Sequence, residues 1–111
     1  MTLDPNRPFL LLRARTHEEQ RVRFTAWFRQ VHLRDVGRIP GIAGVRTGTT
    51  RGGTRLGFYE FESTATVQAA LSSPEAAYAR GTWEQWAPQL EELSIELFAP
   101  LAALGVYQSR S

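Results

Sequence analysis

The chain has 111 residues, of which 42% are hydrophobic and 22% are charged, a length and composition typical of one ordinary globular domain. Its 13 basic residues are all arginine, and the formal net charge is +2. The lack of lysine and cysteine excludes Schiff-base and P-loop lysines, thiol nucleophiles, disulfides and cysteine-ligated metal centres.

Apolar periodicity, capping residues and turn residues divide the chain into strands and helices. Thr16 and Glu19 have the spacing of a helix capping box, as do Thr82 and Gln85. Leucine and isoleucine alternate with polar residues in the last strand. The predicted elements are strands at 9–15, 42–48, 55–62 and 90–101, helices at about 18–36, 64–71 and 74–81, a hairpin loop at 48–53 and a helical turn after residue 82.

This order of elements, β-α-β-β-α-β, indicates a ferredoxin-like α+β fold with one antiparallel sheet. We expect a single domain over 1–111, with an ordered core at about 9–101. Helices cover one face of such a sheet, so the second face needs another cover or stays in water. Because the sequence has no apolar run long enough for a membrane span and no signal-peptide region near its start, we expect a cytoplasmic protein that binds no membrane.

His32 is the first candidate catalytic residue. An unperturbed imidazole titrates near neutral pH, so it can act as a general acid or base. Asp35, three residues later on the predicted helix, could orient this imidazole and raise its basicity. A histidine near a helix C-terminus can equally interact with the helix dipole, and both interpretations stay open. His17 is expected to face solvent, and we predict no metal site because no metal-ligand spacing is visible.

Tyr59 and a set of aromatic side chains are further candidates. Tyr59 and Glu60 are adjacent in a strand and therefore point to opposite faces of the sheet. Tyr59 could donate a hydrogen bond to a developing oxyanion, whereas Glu60 could act as a base. The aromatic residues either pack in a core or line a pocket for an apolar ring. They include Trp27, Phe28, Phe58, Tyr78, Trp83 and Trp86.

RNA-recognition domains have the same order of elements. Gly57, Phe58 and Phe61 match part of their third-strand motif. The basic first position and the first stacking aromatic of that motif are missing, since Thr54 and Leu56 stand there. RNA stacking needs exposed rings on the open sheet face, so we expect no nucleic-acid partner.

The chain more closely resembles small EthD-like proteins of the dimeric α+β barrel superfamily, over about residues 9–100. Those proteins have a helix ending in W-[FY]-x-x-x-H-L-P-[DE], a P-G turn, a Gly-rich hairpin and a strand with Y-E-[FL]-E. Arg34 stands here where the helix motif has proline. The matching segments are Trp27-Phe28 with His32-Leu33-Arg34-Asp35, Pro40-Gly41-Ile42, Tyr59-Glu60-Phe61-Glu62, and Ser73-Pro74 with Tyr78.

The resemblance implies a homodimer in which two open sheet faces pack into a barrel, and a pocket in each protomer that contains His32. Relatives include cofactor-free cyclases, isomerases, lyases and monooxygenases. We therefore expect a cofactor-independent enzyme that performs proton transfer on a small apolar carbonyl compound, aromatic or polyketide-like. In this hypothesis His32 moves a proton with the aid of Asp35, and Tyr59 or Arg46 stabilises negative charge. The expected substrate-binding residues are Trp27, Phe28, Arg46, Tyr78, Trp83 and Trp86.

Two alternatives stay open. One is a haem-dependent or cofactor-free monooxygenase, in which His32 would be the axial ligand of the haem version. The other is a ligand-binding dimer without catalysis. The second alternative predicts a pocket without any titratable group, and a His32 that points to solvent would favour it.

Overall fold

The computed structural model describes residues 7–99, which form a four-stranded antiparallel sheet with helices packed on one face. The strands are β1 (Phe9–Thr16), β2 (Ile42–Thr49), β3 (Arg55–Phe61) and β4 (Leu90–Phe98). Their order across the sheet is β2-β3-β1-β4, so that β2 and β4 are the edges. This arrangement confirms the predicted ferredoxin-like α+β fold. The predicted continuation of the last strand at residues 100–101 lies outside the described residues.

The long helix predicted from periodicity is interrupted near its middle. The amide of Leu33 donates to the carbonyl of Phe28, five residues earlier, which is the wider turn of a π-helix. Apolar periodicity assumes one regular helix and therefore did not predict this turn. The segments in order are a 3-10 turn (Glu18–Gln20), α1 (Arg21–Trp27), the π segment (Phe28–His32) and α2 (Leu33–Gly37).

Two predicted capping boxes are not formed. Thr16 is the last residue of β1, and its buried Oγ1 has no hydrogen-bond partner among residues 7–99. Thr82 donates its hydroxyl to the Ala79 carbonyl at 2.8 Å and does not cap the following 3-10 turn, Glu84–Gln89. Thr16 ends β1 and Thr82 caps the C-terminus of the preceding helix, so neither residue is at the N-cap position that its spacing from a glutamate or glutamine predicted.

The two remaining helices have the predicted bounds, α3 (Thr64–Leu71) and α4 (Pro74–Gly81). The Ser73 hydroxyl accepts a hydrogen bond from the Ala76 amide at 3.1 Å and donates one to the Ala70 carbonyl at 2.7 Å. One side chain thus joins the end of α3 to the start of α4. No helix within residues 7–99 has the length and apolar character that crossing a membrane requires.

Strand alternation gives the sheet two different faces. In the register of β1 and β3, Leu10 is opposite Tyr59 and Leu11 is opposite Phe58. The face of Tyr59 packs on the helices, and the face of Phe58 points away from that core. The buried core consists of Leu12, Ala14, Phe24, Phe28, Val36, Tyr59 and Trp86.

Candidate functional site

A cavity of about 250 Å³ lies between the helix-covered face of the sheet and helices α2 and α4. His32 and Tyr59 line its buried end, whereas Arg80 and Ile95 are exposed lining residues. The cavity therefore leads from the core to the surface beside α4 and β4. The other lining residues are apolar apart from the Trp83 indole: Leu10, Leu12, Val36, Ile39, Leu71, Ala76, Ala79 and Trp83.

His32 lies between two hydrogen-bonding side chains at the buried end. Its Nε2 is 2.6 Å from the Tyr59 Oη, and its Nδ1 is 3.1 Å from the Trp83 Nε1. An indole N–H can only donate, so Nδ1 must accept. We therefore assign the proton of the neutral imidazole to Nε2, which donates to the Tyr59 oxygen. The Tyr59 O–H is then available to donate to a molecule in the cavity.

The protein holds this imidazole in an apolar surrounding. The Trp27 ring stacks on His32 with the ring centroids 5.7 Å apart, and the Phe28 ring lies 4.8 Å away. Burial lowers the pKa of His32 to about 4, so the ring is neutral at neutral pH. Burial also raises the pKa of Tyr59 well above its usual value, so the phenol keeps its proton.

Gly57 makes room for the Tyr59 ring. The two residues are on the same face of β3, and the tyrosine ring lies along the strand over the glycine. A Cβ at position 57 would lie 2.6 Å from the Tyr59 Cζ, closer than side-chain carbons approach each other. The position of the phenol oxygen beside His32 therefore depends on a residue without a side chain.

Asp35 does not orient His32, contrary to the prediction. Both imidazole nitrogens are occupied by other groups, and neither oxygen of the buried Asp35 carboxylate has a hydrogen-bond partner among residues 7–99. Asp35 instead lines a second, more open cavity of about 360 Å³ together with Arg38 and Glu75. The prediction assumed regular helical spacing, but His32 closes the π segment and Asp35 belongs to α2.

Arg46 lies on the other face of the sheet from Tyr59. The register of β2 and β3 pairs Val45 with Tyr59 and Arg46 with Phe58. Side chains alternate along a strand, so Arg46 points away from the cavity and cannot share charge stabilisation with Tyr59 within this chain. Glu60 is on the same outer face as Arg46 and forms an ion pair with Arg7 at 3.3 Å.

Of the aromatic residues predicted to bind substrate, only Trp83 lines the cavity. The other aromatic residues were predicted because the chain has many of them. Their number does not tell whether a ring lines the cavity or packs behind the residues that line it. Trp27 and Phe28 pack against the imidazole, Trp86 belongs to the core, and Tyr78 is exposed and lines the second cavity.

Besides the apolar lining residues, Arg80 and Gly57 are site residues that were not predicted from the sequence. Arg80 lies four residues after Ala76 and one residue after Ala79 in α4, and all three line the cavity. The sequence therefore contained a signal for Arg80, because a core position at Ala76 places Arg80 on the same helix face. Within residues 7–99 no group of three histidine or carboxylate side chains could hold a metal ion.

No family model matches the sequence, and no curated protein matches it. Solved structures do share its fold. The protein Rv0793 from Mycobacterium tuberculosis has a TM-score of 0.66 at 16% identity, covering 86% of this chain and 95% of its own. An ethyl tert-butyl ether D (EthD) family protein from Bacillus halodurans has a TM-score of 0.63 at 15% identity, covering 80% and 96%.

A third similar structure is SnoaB from Streptomyces nogalater, named as a cofactor-independent oxygenase. Its TM-score is 0.64 at 14% identity, covering 85% of this chain and 92% of its own. Such identities establish the fold and not the reaction. The chain thus has the ferredoxin-like α+β fold, which the EthD family protein and SnoaB also have.

Proposed function

We propose that the protein is an enzyme that binds a small, largely apolar carbonyl compound in the cavity and stabilises the enolate formed from it. The observation that carries this proposal is the chain of hydrogen bonds from Trp83 through His32 to Tyr59, which ends at a phenol in an apolar cavity. Carbonyl compounds can undergo isomerisation, aldol-type cyclisation, dehydration and, for β-keto acids, decarboxylation through such an enolate without a cofactor.

The chain of donors favours negative charge on a substrate oxygen. As charge develops on the carbonyl oxygen, the Tyr59 O–H donates to it, and the His32 Nε2–H donates to the Tyr59 oxygen. Where the enolate forms by loss of an α-proton, a water molecule takes that proton, because the His32 lone pair is occupied and no carboxylate among residues 7–99 lines the cavity. Hydrogen bonds in such a chain polarise one another, and an apolar cavity strengthens them relative to water. Because the donors are fixed before the substrate binds, little reorganisation is needed when the charge forms.

In this proposal Tyr59 is the catalytic residue and His32 is a positioning residue. The sequence-based hypothesis had His32 moving the proton itself. Its one lone pair, on Nδ1, accepts from the Trp83 indole, and its Nε2 proton is directed at Tyr59. His32 thus acts through Tyr59, and Trp83 holds the required tautomer.

Deuterium exchange into 2-acetylnaphthalene, a small apolar ketone, tests the proposal. In D2O the protein should accelerate exchange of the methyl protons, followed by NMR. Tyr59→Phe keeps the ring and removes the donor, so its rate should fall on the order of 10²-fold, as for loss of one oxyanion donor. Tyr78→Phe, an exposed tyrosine outside the cavity, is the matched control and should keep the rate. Equal rates for wild type and Tyr59→Phe would contradict the proposal.

A cofactor-free oxygenase is the second candidate, favoured by the likeness to SnoaB. An enolate held by Tyr59 is electron-rich and can react with O2 directly, so the same site suits both reactions. Oxygen uptake with 1,3-dihydroxynaphthalene, whose keto form is enolisable, distinguishes them. Stoichiometric uptake that depends on Tyr59 favours the oxygenase, and exchange without uptake favours proton transfer.

The other two alternatives fit the site poorly. An axial haem ligand needs a free imidazole nitrogen, but both nitrogens of His32 are hydrogen bonded and the ring packs against Trp27 and Phe28. A binding protein without catalysis was expected to have a cavity without titratable groups and a solvent-facing histidine. The cavity contains Tyr59 and His32, and His32 is only 3% exposed.

We also propose that the working unit is a homodimer formed through the sheet face opposite the cavity. That face carries Phe9, Leu11, Phe58 and Phe98, and Phe98 is half exposed in the single chain. A second copy of the same face would bury these apolar side chains, as the EthD-like resemblance implies.

A further inference from the structure

We infer that the substrate carries a carboxylate, which binds Arg80 at the mouth of the cavity while the carbonyl group meets Tyr59 at the buried end. The inference rests on the proposed function and adds the charge and polarity of the molecule that fits it. It follows from three properties of the cavity as residues 7–99 form it: the position of Arg80, the lack of an acidic partner for Arg80 and the absence of any other charged lining residue.

Arg80 is held at the open end of the cavity. It is exposed and lies in the last turn of α4, yet it lines the same cavity as the buried Tyr59. One guanidinium nitrogen, Nη1, donates to the Leu71 carbonyl at 3.2 Å, which fixes the side chain beside the mouth. A guanidinium has five N–H donors, so this contact leaves most of them available.

No acidic group neutralises Arg80 in the part of the chain that the structure describes. Elsewhere Arg13 and Arg15 have carboxylate partners at 3.1–3.3 Å, Glu92 and Glu91 among them, but Arg80 has no ion pair within residues 7–99. The described residues that line the cavity include no aspartate or glutamate either. Among the described lining residues the only fixed charge is therefore the Arg80 guanidinium at the mouth, and His32 is neutral.

This distribution of charge selects an amphipathic anion. The walls between Tyr59 and Arg80 are aliphatic and aromatic, so the body of the ligand must be apolar. A carboxylate matches the planar guanidinium with two hydrogen bonds and carries one charge. A phosphate monoester would bring up to two charges to a site with one cation, so the carboxylate is the better match.

Calorimetric titration with two probes of the same shape tests the inference. The probes are 6-acetyl-2-naphthoate, which has a ketone at one end and a carboxylate at the other, and 2-acetyl-6-methylnaphthalene, which lacks the charge. Wild type should bind the carboxylate at least about tenfold more tightly, as expected for a charge-assisted pair. Arg80→Gln should remove this preference and leave the affinity for the neutral ketone unchanged. Arg51→Gln, an exposed arginine in the β2–β3 hairpin, is the matched control and should keep the preference.

Tyr59→Phe separates failure of this inference from failure of the proposed function. If it weakens both probes while Arg80→Gln changes neither, the carbonyl site stands and the carboxylate inference is wrong. Equal affinity of wild type for the two probes would likewise mean that the carboxylate inference is wrong. If neither probe binds wild type, or Tyr59→Phe binds both unchanged, the proposed function fails and this inference with it.

Discussion

The neutral state of His32 is set by its neighbours. A protonated imidazole would have N–H groups at both nitrogens, and the one at Nδ1 would face the Trp83 N–H donor. Burial acts in the same direction and lowers the pKa of the ring to about 4. Protonation therefore costs both a hydrogen bond and desolvation, which couples folding to pH.

Stability should fall as pH drops from 7 to 5. His32 has a folded-state pKa below its unfolded value of 6.5, so the unfolded chain binds more protons as the pH falls through that range. The contribution of the neutral His32 to the free energy of unfolding is complete above pH 6.5 and decreases toward pH 4. The free energy of unfolding should therefore fall by about 2 kcal/mol between pH 7 and pH 5. Urea unfolding measured at both pH values checks this. His32→Gln is the control, because its carboxylates still titrate but the loss of stability due to His32 should disappear. An identical pH dependence of stability in the wild type and His32→Gln would be inconsistent with a buried neutral histidine.

Gly57→Ala should displace the tyrosine ring and break the hydrogen bond to His32. The new methyl group would meet the Tyr59 ring at 2.6 Å, so we expect a loss of about 1–3 kcal/mol in unfolding free energy, typical of overpacking. Deuterium exchange into 2-acetylnaphthalene should slow as in Tyr59→Phe. Gly48→Ala is the control, since a Cβ there has no neighbour within 4 Å. A Gly57→Ala protein with wild-type exchange would mean that the phenol position is not set by this contact.

At the scale of elements, the π segment and α4 both contribute to the cavity wall. The π segment ends in His32, and α4 provides Ala76, Ala79 and Arg80. Helix α4 is held at its start by the buried Ser73, which bonds to both neighbouring helices through its hydroxyl. The cavity wall therefore depends on a cap that is remote from the chemistry.

Ser73→Ala should destabilise the protein by about 1–2 kcal/mol, because it leaves the Ala76 amide without its side-chain cap. Thermal or urea unfolding measures this loss. The neighbouring Ser72 follows α3 directly, is exposed and donates its hydroxyl only to the Gln68 carbonyl of that helix, so Ser72→Ala should change stability by less than about 0.5 kcal/mol. Equal effects of the two substitutions would mean that Ser73 does not join α3 to α4.

Strand alternation and helix caps made most of this fold predictable. The bounds of α3 and α4 followed from Ser-Pro and glycine signals, and the opposite orientation of Tyr59 and Glu60 followed from strand geometry. The pairing of Asp35 with His32 was wrong because a π turn depends on packing between elements, which local spacing does not contain. The placement of Arg46 required the register of β2 against β3, which hydrophobic pattern alone did not provide.

At the scale of the whole molecule, helices cover only one face of the sheet, and the opposite face also carries large apolar side chains. The helix-covered face holds the cavity, and the opposite face carries Leu11 between Phe58 on β3 and Glu96 on β4. A chain of 111 residues does not need to cover both faces alone if two copies share the second one. The cavity is then complete within each protomer, and the dimer protects the sheet behind it.

Leu11→Arg should convert a dimer into a folded monomer. The substitution puts a charge in the centre of the proposed interface, where two copies would face each other, while Glu96 on the adjacent strand can pair with it in the monomer. Sedimentation velocity at tens of micromolar should give a dimer for wild type and a monomer for Leu11→Arg, with unchanged far-ultraviolet circular dichroism. Val22→Arg replaces an apolar residue that is 84% exposed on α1, away from the sheet, and should leave the dimer intact. A monomeric wild type, or a Leu11→Arg protein that still sediments as a dimer, would require a different cover for this face.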